Sequence, residues 1–266
     1  MFDTLSNWIS LAPDESILLW LSSGMIVSAV VTFAGLKLFD FHASYGRYYD
    51  QSMFAKFAIN GRLAWFLQES PALLIPTIAI YYHGENMNIS KSIAMIMFVG
   101  HYVQRTLVYP FLIKGGKPTT PIILICAWFI CVWNGFLQGY YYVIYADFDE
   151  NHAYSPISLF GILVFVIGMT TNIHSDSILR NLRGPGEVDY KIPHGGLFDW
   201  VSCGNYFGEI MEWLGYAIFC RSLPALGFAL FTMANIAPRA SQYHQDYQKK
   251  FPEYPKERRI LAPFLY

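Results

Sequence analysis

Long apolar stretches alternate with short polar ones along the whole chain. Seven approach the roughly 20 apolar residues that a helix needs to cross the hydrocarbon core of a bilayer. They run over about residues 16–37, 63–82, 92–113, 120–145, 156–173, 205–220 and 222–238. The first and fourth are the cleanest. The second carries Glu69, Pro71 and Pro76, and the sixth carries Glu209 and Glu212. Such groups are costly against lipid, so these helices are expected to turn them into a bundle interior. The last pair, 205–238, also reads as an interfacial hairpin. The pattern predicts an all-α integral membrane protein with seven transmembrane helices, one membrane domain over residues 1–266 and a tail over 239–266. There is no strand–helix alternation and no GxGxxG after a strand, which excludes a Rossmann domain.

Composition supports this picture. Hydrophobic residues make up 54% of the chain and charged residues only 14%, against about a quarter charged in a soluble domain. The formal net charge is −1, and no basic stripe invites nucleic acid. The four cysteines, Cys126, Cys131, Cys203 and Cys220, have neither zinc-knuckle nor disulfide-framework spacing. The opening residues lack a basic n-region and a small-residue cleavage site, so the first helix is expected to insert and stay.

The basic residues set an orientation. With seven spans, the segments 37–62, 114–117, 180–191 and 239–259 share one side and hold 15 of the 18 Lys and Arg. That asymmetry predicts a cytosolic C-terminus and an N-terminus outside or lumenal. The membrane would be the endoplasmic reticulum in a eukaryote and the inner membrane in a bacterium.

Two groups of polar residues carry candidate chemistry. In TTNIHSDSILRNLR, residues 170–183, Asn172, Asp176, Arg180 and Arg183 recur every three or four positions and line one helix face. Tyr190, Lys191 and Asn205 come next along the chain. Arginine suits phosphate, and Asn or Asp suits hydroxyls or an amide. The plainer reading is a solvated helix end with positive-inside arginines. Separately, Glu69 in AWFLQESPALLIP and Tyr102 in FVGHYVQRTLVYP lie within spans, where a neutral carboxyl and a phenol could polarise a carbonyl. Here the plainer reading is that Glu69 pairs with Arg105 and Tyr102 only packs. His101, His174 and His244 match no metal pattern, and no metal is expected.

Six stretches are diagnostic: AWFLQESPAL, GHYVQRTLVYPFLIKGGKP, NGFLQGYY, GMTTNIHSDSILRNLRGPGE, YKIPHGGLFDWVSCGNYFGEIMEWLGYA and EYPKERRILAPF. Through them the chain resembles the steroid 5-alpha-reductase family, closely its vertebrate type 1 and type 2 branches, from about residue 60 to the C-terminus. The resemblance implies NADPH-dependent reduction of the Δ4,5 double bond of lipophilic 3-oxo-Δ4 steroids, such as testosterone and progesterone, to 5α products. It implies seven membrane helices enclosing a cofactor cavity, contact with membrane lipid and no protein partner. By matched position it implies that Glu69 and Tyr102 bind and activate the steroid 3-carbonyl. Asn172, Asp176, Arg183, Tyr190, Lys191, Asn205 and Trp213 would line the NADPH site, and Lys117, Arg239 and Tyr247 would complete it. Glu209 and Glu212 would contact the cofactor or support residues that do. Tyr243 stands where family members commonly have His, with His244 next to it. Lys117 and Lys191 stand where a relative has Arg. The alternatives are a related membrane enone or enoyl reductase acting on polyprenal or acyl-CoA, a membrane S-adenosylmethionine-dependent methyltransferase, and a transporter or receptor.

Overall fold

A computed structural model describes residues 12–39, 55–114, 118–182, 184 and 191–265. Seven long helices run through these residues. They are α1 (Glu15–Leu38), α2 (Gly61–His83), α3 (Ile89–Val103), α4 (Pro121–Tyr140), α5 (Pro156–Asn181), α6 (Gly204–Cys220) and α7 (Leu223–Lys250). Helix α3 continues through a π-helical turn, Gln104–Val108, into a last short helix, Tyr109–Leu112; α4 likewise ends in a π-helical turn, Tyr141–Tyr145. Among the described residues there is no sheet, only isolated bridges pairing Ile59 with Thr119 and Val201 with Arg259.

Local sequence explains where the helices start. The Asn60 side chain accepts from the backbone of Arg62 and Leu63, Asn88 from Lys91, and Ser155 from Ser158. These side chains satisfy amides that the first turn leaves unpaired. Proline sits in the first turn of α4, α5 and α7, where no backbone N–H is missed. Inside α2, Pro71 cannot donate to the carbonyl of Leu67, and the Ser70 hydroxyl donates to that carbonyl instead, at 3.0 Å. This keeps the helix continuous through its proline.

The exterior is apolar and the interior holds polar groups. Trp20, Val30, Val31, Ile96, Phe111, Ile125, Phe129, Phe160 and Leu163 are exposed, while His101, Arg105, Asn134, Gln138, Asn172, Asp176 and Glu212 are buried. That inversion suits a hydrocarbon surround and not water. Among the described residues, four helical segments are long and apolar enough to span a membrane: Glu15–Leu38, Gly61–Asn86, Pro121–Tyr145 and Pro156–Asn181. The protein is therefore an all-helical, multi-pass membrane protein. The other three helices fall short by length or composition. Helix α3 proper has 15 residues and α6 has 17. Helix α7 is 28 residues long but runs on past residue 238, through a polar stretch that had read as tail.

The helices associate in pairs through backbone contact. On α5, Gly161 and Gly168 are seven residues apart; on α6, Gly208 and Gly215 face them. A Cβ added at Gly168 would lie 2.2 Å from the backbone nitrogen of Glu212, and one at Gly208 would lie 2.5 Å from that of Asn172. Only glycine permits such an approach, as in other membrane helix pairs. Gly135 and Gly139 of α4 meet Ala72 and Pro76 of α2 in the same way, at 2.9 and 2.8 Å. Helix α1 packs along α7, and α3 contacts α2 and α6.

Candidate active site

Helices α2, α3 and α4 converge around Glu69 and Tyr102. Glu69 is part-buried; its Oε1 accepts from Gln68 Nε2 at 3.0 Å, and its Oε2 lies 3.7 Å from Cys131 Sγ. Tyr102 is buried, and its oxygen accepts from Asn134 Nδ2 at 3.1 Å. Cys131 and Asn134 are one turn apart on α4, so Glu69 and Tyr102 are both held against the same helix face. No acceptor for the Tyr102 proton occurs among the described residues. Glu69 does not pair with Arg105, which corrects that reading of the sequence.

Arg105 turns instead toward α5. Its Nη1 donates to Asp176 Oδ2 at 3.0 Å, and its guanidinium lies over the rings of Trp65 and Tyr109, 4.7 and 4.6 Å from their centroids. The π-helical turn that begins at Gln104 widens the helix at this point; such turns recur at functional sites. Asp176 Oδ1 accepts from Asn205 Nδ2 at 3.3 Å. Asn172 Nδ2 donates to the Asn205 carbonyl at 2.9 Å and to Glu209 Oε2 at 3.4 Å. Thus Asn172, Asp176, Asn205 and Glu209 form one network between α5 and α6, reached from α3 by Arg105. One turn further along α6, Glu212 Oε1 meets His101 Nδ1 at 2.7 Å, and Trp213 packs edge-on to His101 and Phe228 at ring separations of 4.6 and 4.5 Å.

Beyond this network, where α5 ends and α6 begins, lies a cavity of about 140 Å³. Lys191, Asn205, Tyr206, Tyr243 and Tyr247 contribute to its wall. Tyr243 stacks on Tyr206 at 5.9 Å, and Tyr247 stacks on Tyr254 at 5.3 Å. His244 Nδ1 meets Ser202 Oγ, another residue of the cavity wall, at 2.5 Å, and that hydroxyl also meets the Tyr254 hydroxyl at 2.6 Å. Arg239 is part-buried on the same helix but is not in the cavity wall. Lys117, Arg183 and Tyr190 lie outside the described residues. No group of three or more metal-ligating side chains occurs among the described residues.

The sequence reading passed over Asn134, Gln138 and Cys131. A signal for the two amides was present: they stand four apart in an otherwise apolar span, where a polar side chain marks function by default. The His101–Glu212 pair had no such signal, because its partners lie on helices far apart in sequence.

A carboxyl group and a phenol held against one helix face, beside a buried network of amides, acids and arginine, are the kind of polar grouping that marks a candidate site inside a membrane-embedded enzyme. The comparisons with known proteins give its kind. The sequence profile described as 3-oxo-5-alpha-steroid 4-dehydrogenase matches residues 117–266. The mouse 3-oxo-5-alpha-steroid 4-dehydrogenase 1 is 46% identical over 89% of this chain and 92% of its own length. The human form 1 is 44% identical over 78% and 81%, and the pig form 2 is 42% identical over 84% and 88%. The chain belongs to the 3-oxo-5-alpha-steroid 4-dehydrogenase family.

Proposed function

We propose that this protein is a steroid 5α-reductase, using NADPH to reduce the Δ4,5 double bond of lipophilic 3-oxo-Δ4 steroids such as testosterone and progesterone. The observation that carries the reading is Tyr102. Its buried oxygen accepts from Asn134, which leaves its own proton to be offered elsewhere.

The residues present suit the cofactor. Buried Ser175 Oγ, Arg180 Nη1 and Glu212 Oε2 have no hydrogen-bond partner among the described residues, and a polar dinucleotide would satisfy groups of this kind. Asn172, Asp176, Asn205 and Glu209 offer the amide and carboxylate groups that a carboxamide and ribose hydroxyls require. Lys191 among tyrosine rings suits a phosphate and a planar base. Trp213 closes the apolar side. Lys117, Arg183, Tyr190, Arg239, Tyr243 and Tyr247 complete the proposed NADPH set, and Arg105 and His101 hold Asp176 and Glu212 in place.

Bound NADPH supplies the hydride that reduces C5 of the enone. As C5 is reduced, negative charge gathers on the C3 oxygen. Tyr102 donates a hydrogen bond to that oxygen, and Glu69, held against the same face of α4, supports it. Preorganised donors of this type are worth most where water is excluded. The enolate then collapses: the C3 carbonyl re-forms and C4 takes a proton that comes ultimately from water.

The same reading gives a single domain over residues 1–266 with seven spans. Helix α3 gains the required length through its π-helical turn. Helix α6, about 26 Å long at 1.5 Å per residue, keeps Glu209 and Glu212 turned inward. The basic segments put the C-terminus in the cytosol and the N-terminus in the lumen of the endoplasmic reticulum in a eukaryote, or outside the inner membrane in a bacterium.

The test is to incubate membrane-embedded protein with testosterone or progesterone and NADPH, with NADH in parallel, and to separate products against 5α and 5β standards. A 5α product dependent on NADPH is expected. Folded protein that leaves the Δ4 bond intact overturns the assignment.

A further inference from the structure

A chain of three hydrogen bonds runs inward from the start of α7 to Tyr102. The carbonyl of Pro224 accepts from Gln138 Nε2 at 3.0 Å; the same Nε2 donates to Asn134 Oδ1 at 3.1 Å; and Asn134 Nδ2 donates to the Tyr102 oxygen at 3.1 Å. Asn134 and Gln138 are both fully buried. A backbone carbonyl can only accept, so the group that Gln138 turns toward Pro224 must be its NH2. That NH2 has two hydrogens, and the second goes to Asn134. Asn134 must therefore present its oxygen to Gln138 and its NH2 to Tyr102. Gln138 Oε1 finds no partner among the described residues. Its orientation is thus held against the cost of an unsatisfied buried oxygen, which points to the carbonyl as the element that dictates it.

We propose that Asn134 is a positioning residue that holds Tyr102 as a hydrogen-bond donor toward the 3-oxo group of the substrate, and that Gln138 and the Pro224 carbonyl set the direction of Asn134. A tyrosine hydroxyl has one proton and can face a neighbouring amide either way round. Were Asn134 reversed, its oxygen would capture that proton, and Tyr102 would offer the substrate only lone pairs. The inference rests on the reductase reading for the identity of the substrate, but the direction of the hydrogen bonds does not depend on it.

Two substitutions separate the terms. Asn134→Leu, close in volume, removes the donor to Tyr102. Gln138→Glu leaves at most one hydrogen, which Pro224 takes, so Asn134 has to turn its own NH2 outward and its oxygen toward Tyr102. Each variant is assayed for kcat and KM with testosterone, and for binding preference between a 3-oxo steroid and its 3-deoxy analogue. Each is also assayed on a Tyr102→Phe background, with thermal unfolding recorded alongside. The expected result is a fall in kcat of about ten- to a hundredfold for Asn134→Leu, less than the roughly hundred- to thousandfold of one lost oxyanion donor, because Tyr102 itself remains. Gln138→Glu should fall in the same direction, and both should lose the 3-oxo preference. On the Tyr102→Phe background neither should change kcat by more than about twofold, because coupled residues lose their separate effects. Parental kcat and an intact 3-oxo preference in folded Asn134→Leu overturn the proposal, and so do equal losses with and without Tyr102→Phe. If one variant fails to fold, the other decides. If the parent protein reduces no steroid, the reductase reading falls instead, and the 3-oxo binding preference still decides the role of Asn134.

Discussion

Arg105, in the π-helical turn that continues α3, and Asp176 of α5 form a buried ion pair, 3.0 Å between Nη1 and Oδ2. Removing one partner strands the other charge away from water. Asp176→Leu is expected to destabilise the protein by about 3–5 kcal/mol, while adding Arg105→Met in the same chain should recover most of that loss. Thermal unfolding of the three variants in one detergent measures it.

The α5–α6 glycine seam predicts a sharp difference between glycines. Gly168→Ala drives a Cβ against the backbone of Glu212, whereas a Cβ at Gly100 meets nothing within 4 Å. Gly168→Ala should cost about 1–3 kcal/mol or more through overpacking. Gly100→Ala should be neutral or slightly stabilising, because alanine favours the helix. The yield of monodisperse protein and its unfolding temperature report both.

Glu69→Gln and Tyr102→Phe remove groups from the proposed carbonyl site. Each is expected to lower kcat about a hundredfold with NADPH affinity kept. Single-turnover product formation at saturating steroid and NADPH checks the first, and a cofactor titration checks the second.

How far the sequence revealed the site depends on how each contact is made. Asn172 and Asp176 were legible because helical spacing alone puts them on one face. Their partners Asn205 and Glu209 were found as polar groups in a span, and the structure joins all four. Arg105 was read against Glu69. The π-helical turn begins at Gln104, and one extra residue rotates the remainder of the helix by about 100°; hydrophobic periodicity does not register such a shift. The pairing of His101 with Glu212 depends on how α3 and α6 cross, which no local pattern encodes. Tyr243 and His244 were rivals for one role. Both stand at the same cavity, Tyr243 in its wall and His244 bonded to Ser202, which also lines it.

His152, between α4 and α5, gives a pH prediction. Its Nε2 bonds the Phe219 carbonyl at 2.8 Å, so that nitrogen carries the proton, and Nδ1 accepts from Arg221 at 2.6 Å. Burial pushes the imidazole below its ordinary value of 6.5; the Phe219 bond and the Asp149 charge oppose this and the Arg221 charge reinforces it. The folded state therefore resists a proton that the unfolded chain accepts, and stability is lost as pH falls below about 6.5. The unfolding temperature should drop between about pH 7.5 and about pH 5.5, and His152→Gln should drop less than the parent.

The glycine contacts also determine how the molecule can flex. Where backbone lies on backbone, there is no layer of side chains to slide or repack, so α5 with α6, and α2 with α4, each behave as a stiff plank. The planks are tied together by α3, through long side chains: Tyr102 to Asn134 on one side, and Arg105 to Asp176 and His101 to Glu212 on the other. The parting line of the molecule thus runs through the residues proposed to do the chemistry. A ligand seated at that proposed site would be gripped by both planks at once, so filling it would also latch the bundle.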